Sequence, residues 1–399
     1  MQRNYKPLGN YIREVNVRNT DLKVELLLGV SIKKLFMPSI ANIVGTDMRS
    51  YKILQRNQFA YGPVTSRNGD KISIALLDDY DEAIISQAYT AFEIIDTNEL
   101  NPEYLMMWFR RPEFDRYARF MSHGSAREVF GWDELCNTTL PIPSPEKQRE
   151  IVAEYNTIKN RIALNNQLIQ KLEETAQAIY KQWFVDFEFP ITTESHPELV
   201  SGSQILTYKS AGGKMVWNEE LDKEVPEGWK VDNLETLIEF KNGKSKPDNV
   251  GNYPVYGGNG VLGYVNDYNS ESVIAVGRVG AYCGSLHREL DKCWISDNAI
   301  SAKSKNGANM FCYYLLRDLN LNERSEGTGQ PLITQGLLNG LRVIVAPVDN
   351  VVRFERKILK IFKHIGIVES ENSKLENLKS LLLSKLATKE NEIYEYPVC

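Results

Sequence analysis

A regular spacing of apolar residues marks the middle of the chain. Between residues 151 and 183 apolar side chains recur in alternating steps of four and three, at Ile151, Tyr155, Ile158, Ile162, Ile169, Leu172, Ala176, Ile179 and Trp183. This spacing forms the contact seam of helices that pair in a coiled coil. One polar residue, Asn165 in IALNNQLIQKL, occupies a seam position. The pattern predicts a long helix that packs along its length against another helix.

The C-terminal part of the chain repeats this pattern. A shift of 203 residues places Ile151 on Phe354, and the apolar positions that follow superpose in the same way. Similar segments precede the two helices, SHGSAREVFGWDEL before the first and EGTGQPLITQGLL before the second. The chain is therefore predicted to contain two copies of one unit, each a globular domain followed by a long helix.

The globular segments have mixed patterning. Strand-like runs such as QFAYGPVTS and ESVIAVGRVGAYCG accompany helical stretches such as NPEYLMMWFRRPEFDRYARF and NMFCYYLLRDLNL. The predicted fold class is α+β, with two mixed α/β domains separated by two long helices that pair as an antiparallel coiled coil with pseudo-two-fold symmetry. The predicted boundaries are a first domain at 1–143, a central helix at 144–190, a loosely packed connector at 191–225, a second domain at 226–347 and a C-terminal helix at 348–390.

Antiparallel pairing brings the polar seam residues of the two helices together. If the numbers of facing residues sum to 537, Trp183 faces Phe354 and Asn165 faces Asn372. Two buried amides can hydrogen-bond to each other, whereas an amide opposite leucine stays unpaired at a cost of about 1–3 kcal/mol. We predict that the pair sets the register of the helices. The alternative is that Asn165 is a surface residue of a helix with a wide apolar face.

Composition limits the class of protein. The 399 residues suffice for two domains, and 42% hydrophobic with 25% charged residues is typical of globular proteins. The N-terminus MQRNYKPLGNY lacks an apolar signal core and no apolar run approaches the length of a membrane span, so we expect a cytoplasmic protein without membrane contact. The five cysteines form no CxxC pair, which argues against structural zinc or disulfides. A net charge of −5 requires any DNA contact to use local basic patches or basic partner subunits.

Several stretches carry the resemblance to one protein family: IALNNQLIQKLEETAQAIYKQWFVDFEFP, YKSAGGKMVWNEELDKEVPEGWKV, YPVYGGNGVLGYV, GRVGAYCG and GTGQPLIT. Through them nearly the whole chain resembles the specificity subunit of type I restriction–modification enzymes. The resemblance implies that each globular segment is a target-recognition domain that reads one half of a split DNA sequence. The two domains differ in sequence almost everywhere outside the helix approaches, so an asymmetric target is expected.

The resemblance also implies partners. The helices would set the spacer between the half-sites and dock two methyltransferase subunits, through which restriction/motor subunits join for cleavage. Apolar residues outside the seam, Leu164, Leu168, Ile367 and Leu381, are expected to contact partner helices. S-adenosylmethionine, ATP and Mg are then expected on the partner subunits, and this chain is expected to be non-catalytic, with no cofactor and no metal of its own.

Sequence motifs agree with that expectation. The chain has no GxxxxGK[ST] motif, and Asn101-Pro102 lacks the remainder of the Asn/Asp-Pro-Pro-aromatic loop of adenine methylases. The glycines at Gly257 and Gly260 lack a strand–GxGxxG–helix context and are typical of β-turns. His123 and His287 have no acid or nucleophile spaced near them, which favours loop positions over catalysis.

Side chains that contact DNA are expected on loops, because cationic and amide groups bind phosphates and base edges. In the first domain the candidates are Tyr61, Thr65, Ser66, Arg67, Asn68, Lys71, Ser125 and Arg127. In the second domain they are Lys241, Lys244, Lys246, Asn259, Arg278, Thr328 and Gln330. For each of them the alternative is that the glycines nearby only form tight turns and the polar side chain is only solvated.

Two other functions are compatible with the sequence. A coiled-coil scaffold that holds partner domains without binding DNA would show the same repeat, and the net acidity favours it. A specificity subunit of a methylation-only or differently assembled restriction system fits equally well. Sequence-dependent retention of DNA by the chain with its methyltransferase partner would separate the DNA-binding functions from the scaffold.

Overall fold

A computed structural model describes residues 5–39, 46–66, 68–69, 71–124, 127–191, 206–326 and 330–387. The chain divides into two compact units. Unit 1 consists of Met1–Asn165 with Ser370–Cys399, and unit 2 consists of Asn166–Glu369. Each unit therefore contains one globular part together with a portion of each long helix.

The described residues form seven α-helices and twenty β-strands. The helices are α1 Pro102–Phe109, α2 Pro112–Phe120, α3 Trp132–Asn137, α4 Pro145–Tyr180, α5 Asn309–Asp318, α6 Gln335–Gly340 and α7 Val348–Lys385. The strands of unit 1 are β1 Tyr5–Pro7, β2 Ile12–Val15, β3 Leu27–Val30, β4 Phe36–Pro38, β5 Lys52–Gln55, β6 Phe59–Tyr61, β7 Ile74–Leu76, β8 Glu82–Ile85, β9 Thr90–Ile94 and β10 Thr139–Pro141. The strands of unit 2 are β11 Met215–Asn218, β12 Lys223–Pro226, β13 Lys230–Asn233, β14 Ile238–Asn242, β15 Tyr253–Gly257, β16 Gly260–Val265, β17 Ser270–Gly277, β18 Leu286–Ile295, β19 Ala299–Ser304 and β20 Arg342–Val345.

Two four-stranded sheets form the globular part of unit 1, with strand orders β2-β9-β6-β7 and β4-β3-β8-β5. Side chains alternate between the faces of a strand, and here large and small residues take different faces. Ala60 lies opposite both Ala75 and Ala91, and this alanine face packs against the second sheet. Phe59 and Phe92 stack at 4.8 Å on the other face, which packs against α1. The small residues let the sheets approach while the aromatic residues fill the main core.

Unit 2 has a six-stranded sheet with the order β14-β19-β17-β18-β15-β16. Alternation again assigns the faces. Ile274 and Val276 of β17 belong to the core that includes α5 and both long helices. Val273 and Ala275 belong to a smaller cluster on the opposite face.

The backbone follows the sequence repeat. A shift of 203 residues carries α3 onto α6 and the first residue of α4 onto the first residue of α7. The bridge between His123 and Val129 has its counterpart between Glu326 and Leu332 at the same shift. In both units a strand pair, β1–β10 or β13–β20, leads into the long helix. The two globular parts share this framework, and the mixed α/β fold with two long helices is confirmed.

The long helices run antiparallel within each unit. In unit 1 Ile151 lines the same pocket as Leu386. Asn165, fourteen residues further along α4, contacts Asn372 near the middle of α7. In unit 2 the ring of Trp183, in the π-helical turn that follows α4, lies 5.9 Å from the ring of Phe354. Residue numbers therefore rise along one helix as they fall along the other.

The amide pair lies inside this seam. Asn165 is 2% exposed, and its Nδ2 donates to Oδ1 of Asn372 at 2.9 Å. The contact agrees with the facing expected from the sequence, and burial rules out a surface position for Asn165. Next to it, the guanidinium of Arg161 donates two hydrogen bonds to Glu371, at 2.9 and 3.1 Å. Because this ion pair is exposed, we assign it little stabilisation.

A buried polar side chain from each long helix anchors a helix of the globular part. Gln148 of α4 accepts a hydrogen bond from the backbone N–H of Asn101, directly before α1, at 2.7 Å. Glu355 of α7 accepts from the N–H groups of Met310 and Phe311 in the first turn of α5, at 3.0 and 2.9 Å. Burial raises the pKa of Glu355, while the two N–H donors act in the opposite direction. Since the first N–H groups of a helix lack partners within the helix, these contacts fix each globular part to the long helix beside it.

Within the expected connector, residues 206–225 pack into the core of unit 2 at a few positions. Tyr208 and Val225 are buried in the main core of unit 2. The ring of Phe189 stacks on Tyr208 at 4.7 Å and on Trp229 at 5.3 Å. The polar composition of the stretch concealed the few aromatic and apolar residues that insert into the core. Residues 192–205 lie outside the described part of the chain.

The helical stretch of residues 101–120 is two helices rather than one. α1 ends at Phe109 and α2 begins at Pro112, with Arg111 in an extended conformation between them. Proline has no N–H to donate and disfavours helical geometry in the residue before it. The break therefore follows directly from Pro112.

Replacing Asn165 by Leu is expected to lower the free energy of unfolding by about 1–3 kcal/mol, because the amide of Asn372 would then face an apolar side chain. Asn372→Leu should have a similar effect. The double substitution should recover stability, since two leucines suit an apolar seam. Thermal unfolding of the four proteins gives the coupling energy directly. Purely additive losses would contradict a functional contact between the two amides.

Candidate nucleic-acid interface

Two loops of unit 1 that were predicted to face DNA lie side by side. Val129 forms antiparallel bridges with both Val64 and His123. The N–H of Thr65 donates to the carbonyl of Glu128 at 3.0 Å, which continues this pairing. The loop after β6 and the loop after α2 thus form one surface, and backbone hydrogen bonds hold it together.

The polar side chains of this surface differ in their exposure. Ser66, Lys71 and Arg127 are exposed, and Asn68 is half-buried. The side chain of Asn68 donates to the carbonyl of Val64 at 3.4 Å, which partly orients it within its own loop. These four residues stay candidates for DNA contact. Arg67 and Ser125 lie outside the described residues.

Tyr61 and Thr65 were expected to contact DNA, and their burial contradicts this. Tyr61 is 0% exposed, and its ring lies edge-on to Phe92 and Phe130. Burial raises the pKa of the Tyr61 hydroxyl. The hydroxyl of Thr65 is buried 2.9 Å from Oγ of Ser122. Both side chains pack inside the domain and hold the loop in place. β6, which ends at Tyr61, is buried on both faces, and the contact between Thr65 and Ser122 continues this packing into the loop.

In unit 2 the turn between β15 and β16 is tied to the segment that joins β17 to β18. The carbonyl of Gly258 accepts a hydrogen bond from Oγ of Ser285. Nε2 of His287 lies 3.1 Å from the same oxygen. Asn259, the exposed polar residue of the turn, therefore has a supported backbone.

The backbone of Arg278, in the segment between β17 and β18, bonds to two further segments. Its N–H donates to the carbonyl of Asn298 at 3.0 Å, and its own carbonyl accepts from the N–H of Ile333 at 2.9 Å. The next residue, Val279, bridges Leu332. Lys244 forms a parallel bridge with Ser296, at the other end of the same turn as Asn298. Candidate residues that are distant in sequence are thus held in one hydrogen-bonded set of loops.

Most of the predicted side chains in unit 2 are accessible. Exposed side chains belong to Lys241, Lys244, Lys246, Asn259 and Gln330. Nζ of Lys241 also pairs with a carboxylate oxygen of Glu239 at 2.9 Å, so its charge is partly neutralised. Thr328 lies outside the described residues.

Arg278 has an unsatisfied donor. The side chain is half-buried, and its Nε is buried with no hydrogen-bond partner among the described residues. A buried donor without an acceptor costs about 1–3 kcal/mol. Arginine binds phosphate oxygens and the acceptor edge of guanine in a forked geometry. Arg278 therefore stays a candidate for DNA contact.

Glycines hold the loop after β17 in one shape. Gly284 has φ +83, and a Cβ there would lie 2.4 Å from the backbone N of Asn322. At Gly277 a Cβ would lie 2.2 Å from the carbonyl oxygen of Tyr282. Close backbone approaches of this kind admit only glycine. The loop therefore presents its side chains from a fixed backbone.

Two exposed aromatic residues were missed by the sequence reasoning. Tyr282 is exposed on the rigid loop between β17 and β18. Phe120, at the end of α2, is 82% exposed and lies two residues before Ser122, whose hydroxyl contacts Thr65 in the loop after β6. The aromatic residue within the glycine-rich GRVGAYCG was the available signal for Tyr282. Nothing in the periodicity of α2 distinguishes an exposed phenylalanine from a buried one.

Among the described residues, no cluster of His, Cys, Asp and Glu could hold a metal ion. Burial raises the pKa of the Cys293 and Cys312 thiols to about 12. Thiols with a raised pKa are poor nucleophiles. Of the helices in the described ranges, none has the length and apolar character needed to cross a membrane.

Gly284→Ala is expected to weaken sequence-specific DNA binding at least tenfold, about 1.4 kcal/mol, because the added methyl group would displace the loop that carries Tyr282. Gly307→Ala is the matched control. Gly307 also has a positive φ, +75, but a Cβ there would meet nothing within 4 Å. Both variants carry the same backbone strain of roughly 1–2 kcal/mol. Equal loss of binding in the two variants, measured by titration with target DNA, would contradict the role of the loop.

Comparisons with known proteins point to one family. The family model described as "Type I restriction modification DNA specificity domain" matches residues 44–174 and 226–380. The type I restriction enzyme MjaIX specificity subunit of Methanocaldococcus jannaschii is 29% identical over 154 residues, which cover 39% of this chain and 31% of that protein. The HindI specificity subunit of Haemophilus influenzae is 28% identical over 153 residues, which cover 37% of this chain and 32% of that protein. The chain thus spans about a third of the length of these curated relatives.

A solved structure shares the fold. The crystal structure of a type I restriction-modification system S subunit from M. genitalium covers 96% of this chain and 95% of its own, with a TM-score of 0.57 and 15% sequence identity. At this identity the similarity concerns the arrangement of the elements. It agrees with the architecture of two mixed α/β parts and two long helices.

Proposed function

Because this chain belongs to the family of type I restriction–modification DNA specificity domains, we propose that it is the DNA-recognition subunit of such a complex. Each globular part would read one half of a bipartite double-stranded DNA target. The helix pair would set the spacer between the halves. The chain would be non-catalytic, with the methylation and cleavage chemistry on partner subunits.

The observation that carries this proposal is the repeated framework with unlike loops. The two units place corresponding loop segments on matching backbone bridges, His123–Val129 and Glu326–Leu332. At the shift of 203 residues the exposed side chains of the two bridged segments differ, with Arg127 in one unit and Gln330 in the other. A shared framework gives both units the same way of approaching DNA, and different side chains give different base contacts. The two half-sites would therefore differ in sequence.

The helix pair suits the role of a spacer. α4 has 36 residues and α7 has 38. At about 1.5 Å per residue each is roughly 50 Å long. A slip by one heptad would move one helix about 10 Å along the other, the length of roughly three base pairs. The amide pair of Asn165 and Asn372 would oppose such a slip and so keep the spacer at one length.

Exposed apolar residues of the helices support the docking of partner subunits. Ile367 is 66% exposed, and Leu164, Leu168 and Leu381 are exposed as well. Apolar side chains that recur on exposed helix faces are typical of contact surfaces, and helices from two methyltransferase subunits would cover them in a bundle. Restriction/motor subunits would join through these partners. S-adenosylmethionine, ATP and Mg would be bound by the partner subunits.

A scaffold that binds no DNA is the second candidate, and the net charge of −5 favours it. Repulsion from phosphates would oppose binding by the chain as a whole. Lys244 and Arg278 of unit 2, which bond to the two ends of the turn from Ser296 to Asn298, argue for DNA, since binding depends on local rather than total charge. A specificity subunit of a methylation-only system differs only in its partners.

Exchanging the first globular part tests the proposal. Replacing residues 1–140 by the first domain of another family member is expected to change one half of the methylated motif and leave the other half and the spacer unchanged. The motif is mapped by long-read sequencing of DNA from cells that express the hybrid with its methyltransferase partner, beside the parent chain as control. A change in both halves contradicts modular reading. Methylation without sequence preference in the parent and the hybrid supports the scaffold.

A further inference from the structure

One side chain of the recognition sheet contacts both long helices. Arg288 of β18 donates from Nη2 to Oε1 of Glu173 in α4 at 2.9 Å. Its guanidinium lies 4.1 Å from the ring centre of Phe362 in α7 and 5.6 Å from that of Tyr313 in α5. All four residues belong to unit 2. The contacts place Arg288 where the sheet meets α4, α5 and α7.

The neighbours of Arg288 on β18 contact the candidate reading turn. His287 lies 3.1 Å from the carbonyl oxygen of Gly258, at the centre of the turn that presents Asn259. Glu289 accepts a hydrogen bond from the hydroxyl of Tyr256, which directly precedes that turn, at 3.1 Å. Three consecutive residues of one strand therefore connect the helices to the turn. Because a strand within a sheet is stiff along its length, a shift of Arg288 relative to the helices would also shift the turn that presents Asn259.

The chemistry of arginine fits this position better than that of lysine. A planar guanidinium can stack on an aromatic ring while its edge donates to a carboxylate. The Arg288 side chain is only 20% exposed, whereas the Glu173 side chain is 41% exposed. An ion pair open to solvent on one side contributes little to stability. The arrangement favours a role in orientation over a role in stability.

We propose that Arg288 is a positioning residue that fixes the angle at which unit 2 presents its reading turn relative to the helix pair, and thereby the spacer length that the protein accepts. The inference rests on the proposed function and adds to it the residue through which the spacer helices act on recognition. Without Arg288 the sheet would keep its base contacts but lose a contact with α4 and α7. Half-sites at neighbouring spacings would then be bound with more similar affinity.

The test uses the full chain with its methyltransferase partner and three duplexes. They carry the mapped target with its native spacer, with one base pair less and with one base pair more. Arg288→Met keeps an unbranched side chain but removes the charged guanidinium. For this variant we expect at most a threefold loss of affinity for the duplex with the native spacer, and at least a tenfold loss of discrimination against the other two duplexes. The spacer discrimination of Arg288→Lys should lie between that of the parent and that of Arg288→Met, because lysine keeps the charge near Glu173 but cannot stack as a planar group on Phe362.

The control is Arg342→Met in the same unit. Arg342 forms a more exposed ion pair with Glu220, with Nη2 to Oε2 at 2.9 Å, and among the described residues its hydrogen bonds and ion pairs do not reach α4 or α7. It should leave spacer discrimination unchanged. Loss of native binding by Arg288→Met with discrimination intact would overturn the proposal, as would no change in either. A parent chain without sequence-dependent binding would instead overturn the proposed function together with the inference.

A second variant keeps the test decisive if Arg288→Met does not fold. Glu173→Gln removes the charge of the partner and leaves the stacking of Arg288 on Phe362 in place. It should lower spacer discrimination in the same direction by a smaller factor. Thermal unfolding of each variant accompanies the binding measurement. Unchanged discrimination in a folded Glu173→Gln together with unchanged discrimination in Arg288→Lys would refute the role of this contact.

Discussion

A hydrogen-bonded polar pair in an apolar seam, with Asn165 buried and Asn372 half-buried, favours a single alignment of two helices. Asn165 is buried and its amide donates to that of Asn372 at 2.9 Å. A slip by one heptad would separate the two amides, and in one direction it would set Asn165 against Ile365 and Asn372 against Ile158. Each amide left unpaired costs about 1–3 kcal/mol. The globular parts are attached to these helices, so the positions of their loops depend on this alignment. In this account the amide pair trades some stability for a unique register.

The attachment of the globular parts to the helices uses polar contacts of the same kind. Gln148 and Glu355 reach from the long helices to the N-terminal ends of α1 and α5. Arg288 reaches from the sheet of unit 2 to α4 and α7. Apolar packing alone tolerates small rotations, whereas hydrogen bonds at fixed angles do not. Under the proposed function, such directional contacts would hold the candidate DNA-contacting loops in a fixed position on the helices.

Much of the architecture could be predicted because it rests on periodicity. The heptad seam predicted the long helices, and the shift of 203 residues predicted two similar units whose α3 and α6 correspond. Exposure of single residues could not be predicted in the same way. Tyr61 and Thr65 are polar residues of a loop motif, but β6 is covered on both faces. Tyr208 lies in a polar stretch and still packs on Phe189. Burial of these residues depends on contacts between segments that are distant in sequence.

We propose that one chain reads two unlike half-sites at one fixed separation. This is tested by the motif that the unaltered chain and its methyltransferase partner methylate in cells, mapped across a genome by long-read sequencing. We expect two different short sequences separated by a spacer of a single length, without preference for any base within the spacer. A continuous motif, a palindromic motif, or half-sites found at several spacings with equal frequency would contradict it.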